Sequence, residues 1–142
     1  MTNENETPNN IESIKYSEFI KTVERQIRRH DGIVKSRMTS LVNDFNEQFA
    51  YDAEVIYKFI VKIAFFHKLH KTISADGSDV DCAKLFLRHT IDQAEDEIMH
   101  LNPYIGSANW AVSLAHRWDY EAKKEINNIA MNLLAELEPD EE

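Results

Sequence analysis

The placement of six helix-breaking residues constrains this fold more than any other feature of the chain. Glycine and proline are the two residues a helix interior tolerates worst. Only three of each occur in 142 residues. Pro8 and Pro139 fall in polar ends. Gly77 and the Pro103/Gly106 pair separate long runs of helical periodicity, and Gly32 follows an Arg-rich stretch. Confining the breakers to such points predicts an all-α protein. The reading is an antiparallel bundle of four to five helices at about 10–30, 33–50, 53–74, 79–101 and 107–137.

Within those spans the apolar residues recur at helical spacing. Ile11, Ile14, Phe19, Ile20, Val23 and Ile27 form one series, and Val34, Met38, Leu41, Val42, Phe45 and Phe49 continue its register. Ile20, Ile27, Val34 and Leu41 are spaced by sevens. Two structures fit this stretch. A break at Gly32 is the preferred one; an unbroken helix of about 60 Å implies a coiled dimer to bury its seam. Asp52 reads as the N-cap of the next helix. That helix, with Val55, Ile56, Phe59, Ile60, Ile63, Phe66 and Leu69, is apolar nearly all round apart from Lys58 and Lys62. Such a helix belongs at the centre of a bundle. Ser78 or Asp79 caps the fourth span, whose inner face is Val80, Ala83, Leu87, Ile91, Ala94 and Ile98. Trp110, Leu114, Trp118, Ala122, Ile126, Ile129 and Leu133 line the last.

A hydrophobic content of 43% supplies one core, and a chain of this length sustains one domain, not two. The expected layout is a disordered polar leader at 1–9, one helical domain at 10–138, and an acidic tail at 139–142. The lone Cys82 forms no internal disulfide. The start carries no secretory signal. The most apolar segment, 55–66, is interrupted by lysines and too short for a bilayer. The expectation is a cytoplasmic protein that does not enter membranes.

Histidine pairs with metal-ligand spacing occur at His67/His70, Glu97/His100 and His116/Asp119. A di-metal carboxylate bundle needs two Glu-x-x-His motifs and two further inward glutamates. Here there is one such motif, and helical phase turns its His100 away from the inner face. No metal and no cofactor are expected. The run Arg25-Gln26-Ile27-Arg28-Arg29-His30 resembles the Arg-x4-His motif of HEPN-type ribonucleases, which are also helical bundles. The resemblance covers six residues, early in the chain rather than late as in that family. It implies Arg25 stabilising charge at a phosphate while His30 moves a proton.

Sixteen basic and 25 acidic residues give a net charge of −9, unevenly spread. Arg25, Arg28, Arg29, Lys35 and Arg37 make a basic stretch suited to phosphate contacts, although the overall charge disfavours nucleic acid. Asp92, Glu95, Asp96 and Glu97 make an acidic one. No nucleophile–base constellation or Gly-rich phosphate loop is present, which favours binding over catalysis. The leading expectation is a small acidic protein-binding regulator. Phage- and plasmid-type inhibitors, immunity proteins and assembly chaperones are of this kind. It would act as a homodimer, using the 92–97 carboxylates and the acidic tail to engage a basic site on a partner. The alternatives are a HEPN-like or metal-dependent helical enzyme, and a nucleic-acid-binding regulator using residues 21–37.

Overall fold

A computed structural model describes residues 8–43, 49–101 and 110–138. The acidic tail, the turn around Pro103 and Gly106, and most of the polar leader lie outside the described residues. The described residues form four helices: α1 (Pro8–Asn43), α2 (Phe49–Ile73), α3 (Val80–Leu101) and α4 (Trp110–Leu137). Pro8 opens α1, a position where the missing N–H has no intrahelical partner to lose. The helices form two antiparallel hairpins, α1 with α2 and α3 with α4. α2 joins the hairpins by packing on both α3 and α4, whereas α1 barely touches α4.

Gly32 does not end a helix, contrary to the preferred sequence reading; α1 runs through it for 36 residues, about 54 Å. Of the seam residues, Val34 is buried, whereas Ile20, Ile27 and Leu41 are half-buried. Val23, His30 and Val34 are buried along the face that packs on α2. Gly32 itself is on the outer side, and a Cβ built there would meet nothing within 4 Å. The glycine costs the helix about 1 kcal/mol relative to alanine, less than burial of a single large apolar side chain contributes. Gly32→Ala should therefore stabilise the fold by about 1 kcal/mol. An unchanged or lower urea midpoint would contradict a continuous, outward-facing helix at this point.

The core draws on all four helices: Phe19 and Val23, then Phe65, Phe66, Leu69 and Ile73, then Ala83 and Leu87, then Ile126, Ala130 and Leu133. α2 contributes more of its large side chains than any other helix, but only from its second half. In the first half Tyr57 and Ile60 are exposed, so the central role expected of the whole helix belongs to residues 65–73. The lysines that interrupt its apolar surface hold α4 instead. Lys58 Nζ donates to Glu121 Oε1 at 2.6 Å and to Glu54 Oε2 at 2.7 Å, and Lys62 pairs with Glu125. Tyr57 Oη donates to Asp119 Oδ1 at 2.6 Å. Burial and that carboxylate push the Tyr57 phenol up to about 12, so it stays a donor. Burial pulls the Lys58 ammonium down, but the two glutamates outweigh it and its pKa lies above the ordinary value.

The α2–α3 connection is tied to α1. Ser78 N–H donates to Ala75 O at 3.0 Å, closing a turn in which Gly77 has φ +80°, a region only glycine enters at little cost. Asp79 is the N-cap of α3: its Oδ1 accepts from Cys82 N–H at 3.1 Å, which holds its carboxyl below the usual range. That leaves Ser78 Oγ to donate to Thr72 O at 2.8 Å, with Tyr16 Oη of α1 3.0 Å from both Ser78 Oγ and Ile73 O. At the other end of the hairpin Asp52 is not an N-cap, because α2 begins three residues earlier. Its buried carboxylate crosses to α1, accepting from Arg37 Nη1 at 3.3 Å and Ser40 Oγ at 3.0 Å.

Candidate functional site

The 92–97 carboxylates lie on α3, and helical phase divides them. Residues seven apart return to nearly the same side of an α-helix. Leu85, Asp92 and Met99 are so related, and Arg88, Glu95 and Asp96 fill the turns between. This side of α3 faces away from the core: Asp92, Glu95 and Asp96 are all exposed. Glu97, two residues beyond Glu95, turns to the opposite side and pairs with Lys123 of α4 at 3.0 Å. The structure thus keeps three of the four expected residues on one surface and assigns the fourth to the α3–α4 interface.

Eight acids among the described residues are neutralised within the bundle. Glu24, Asp31, Asp52, Glu54, Glu97, Glu121, Glu125 and Glu138 each pair with a cation or histidine. Asp92 and Glu95 have no such partner among the described residues. Asp96 has only His100, whose Nδ1 lies 3.7 Å from its carboxylate and donates to its backbone carbonyl at 2.8 Å. Two large apolar side chains bracket them, Leu85 at 70% and Met99 at 74% exposure. The result is a stripe about 21 Å long with an apolar residue at each end and unneutralised negative charge between. In the sequence Leu85 and Met99 are visible only as residues out of phase with the inner face of α3.

The basic stretch on α1 is not one surface either. Arg25, Arg28 and Arg29 are exposed, as is Lys21. Lys35 pairs with Asp31 at 2.9 Å. Arg37 is committed to Asp52 and stacks over the Tyr51 ring at 5.1 Å. The Arg25/His30 pair does not form a site. Five residues turn an α-helix through about 140°, so Arg25 faces solvent while His30 is buried against α2.

His30 packs between Phe59 and Phe66, with ring centroids 5.0 and 5.2 Å away. Its Nδ1 donates to Gln26 O at 2.7 Å, which fixes the Nδ1–H tautomer. Burial lowers its pKa, and nearby Lys62 and Arg29 push the same way, against the opposing Gln26 hydrogen bond. The unfolded chain takes up a proton near pH 6.5, whereas the folded protein resists until lower pH. The stability this group contributes is therefore complete above about 6.5 and is lost as pH falls from there to its folded pKa. Between pH 7.5 and 5.5 the wild type should lose more stability than His30→Leu, whose remaining histidines are the same. Equal losses in urea titrations would show that His30 is not held neutral.

The other histidine pairs do not gather ligands. His67 is exposed, while His70 Nε2 donates to Glu24 Oε2 at 3.0 Å across the α1–α2 hairpin. Among the described residues no three His, Cys, Asp or Glu side chains are grouped to hold a metal ion. No helix there is long and apolar enough to cross a membrane. Set beside known proteins, the chain matches no family model, no curated protein and no solved structure.

Proposed function

We propose that this protein is a binding module, a regulator or inhibitor that docks the outer stripe of α3 onto a basic surface of another protein. One observation carries the reading. Among the described residues, Asp92 and Glu95 stand without counter-ions between two of the most exposed apolar side chains, Leu85 and Met99. Other exposed acids, Glu18 and Asp76 among them, also lack an ion-pair partner among the described residues; what sets this stripe apart is a large exposed apolar residue at each end, which a partner would desolvate. The charges would steer encounter and set its rate. Leu85 and Met99 would slow dissociation by burying their side chains.

Affinity capture tests this directly. Wild type and Leu85→Ser/Met99→Ser are immobilised and exposed to nuclease-treated extract of the native cells. The wild type should retain one stoichiometric protein with a basic surface. The variant should bind it on the order of 100-fold more weakly, from about 1.5 kcal/mol per side chain. Equal recovery by the folded variant would remove the stripe from the interface. A second reading rests on the exposed cations Lys21, Arg25, Arg28 and Arg29, none of which has an ion-pair partner among the described residues. It requires material that is lost on nuclease treatment and released steeply by salt.

A further inference from the structure

We propose that the cavity between α1, α2 and α4 is a binding site for a small amphipathic carboxylate. Its volume is about 400 Å³, within the range of small-ligand pockets. The walls divide by chemistry. Phe59, Phe66, Ile129 and Leu133 supply an apolar body. Phe66 and Leu133 belong to the core cluster, so this wall is held in place by the fold itself. Against it stand the charged groups Arg29, Lys62 and Glu136, giving the lining a net charge of +1.

The cations are placed differently. The Lys62 ammonium lies 4.4 Å from the centre of the Phe59 ring and pairs with Glu125, which is not part of the lining. Arg29 is exposed and has no ion-pair partner among the described residues, which leaves its guanidinium for the ligand carboxylate. A planar guanidinium suits bidentate contact with that group. His30 adds direction. Because its Nδ1 proton is committed to Gln26 O, its Nε2 presents a lone pair that accepts from a hydroxyl or N–H on the ligand. An aromatic or branched apolar body against Phe59 and Phe66, with its carboxylate at Arg29 and a hydroxyl or N–H at His30 Nε2, uses each of these groups. A neutral ligand forgoes the charge of the Arg29 contact, and a cation meets the like charge of Arg29 at the same position.

The probe is 3-phenylpropionate, with 3-phenylpropionamide as its uncharged counterpart, followed by NMR at the His30 ring proton between the two nitrogens. The carboxylate should shift that signal saturably, with a dissociation constant of order 1 mM for so small a ligand. The amide, and the carboxylate with Arg29→Gln, should each bind about tenfold more weakly. Arg29 is exposed, so the variant keeps the fold. His89 lines the separate cavity between α2, α3 and α4 and should not move. Three results would overturn the proposal: no shift at His30 up to ten times that concentration, equal affinity for acid and amide, or a response at His89 instead.

Discussion

Leu69→Ala is expected to cost about 3 kcal/mol, among the largest losses of any truncation in α2. Leu69 is completely buried and belongs to the cluster in which all four helices meet. Truncation there removes apolar contact and leaves a cavity that rigid neighbours only partly fill, the combination behind losses of 2–5 kcal/mol at buried leucines. That is a large share of the roughly 5–15 kcal/mol that holds a domain together, and it should lower the melting temperature by about 10 °C. Ile60→Ala is the control on the same helix. Hydropathy ranks the two residues alike, but Ile60 is about half exposed, and its loss should stay below about 1 kcal/mol. Comparable losses at the two sites, read from urea midpoints, would mean that the first half of α2 is buried as deeply as the second.

Asp52→Ala should follow at about 2 kcal/mol. The carboxylate is wholly buried in the first turn of α2, where the helix dipole favours negative charge. It accepts from Ser40 at 3.0 Å and from Arg37 at 3.3 Å, and so binds the end of α1 to the start of α2. Removing it strands the Ser40 hydroxyl and frees the Arg37 guanidinium. Arg37 is about one-third exposed, so it re-solvates, and the loss falls below the 3–5 kcal/mol of a fully buried broken pair. Ser40→Ala should cost only about 1 kcal/mol, since the charge keeps Arg37. A loss at Asp52 no larger than that at Ser40 would show that the aspartate acts at its own helix terminus alone, as the sequence first suggested.

The helices were legible because the chain confines its breakers. Gly77 sits at φ +80° in the turn between α2 and α3, whereas Gly32 lies inside a helix. The difference is tertiary: α2 lies against the seam on both sides of Gly32, and that packing exceeds the propensity deficit. The same limit applies to Asp52, whose side chain is equally suited to capping its own helix or to reaching across to α1. The acidic site was half legible. Nearness in sequence grouped Asp92, Glu95, Asp96 and Glu97, and helical phase then removed Glu97 to Lys123. Leu85 and Met99 carry no signal in sequence because a lone exposed apolar residue is ordinary; only their common side with Asp92 gives them meaning. Neither the α2–α4 lysine–glutamate ladder nor the His30 cavity is local, so no window of sequence contains them.

The decisive measurement is the rate of association with the captured partner as ionic strength rises, for the wild type and two variants of equal charge. Asp92→Lys/Glu95→Lys reverses the stripe; Glu18→Lys/Asp76→Lys reverses two exposed acids elsewhere. Each reversal adds two charges, so both variants carry −5 in place of −9. Because steering depends on where charge lies, the stripe variant should associate at least about tenfold more slowly at low salt, with a flattened salt dependence. The control should stay close to wild type. Equal slowing of both variants, or of neither, would contradict docking through α3.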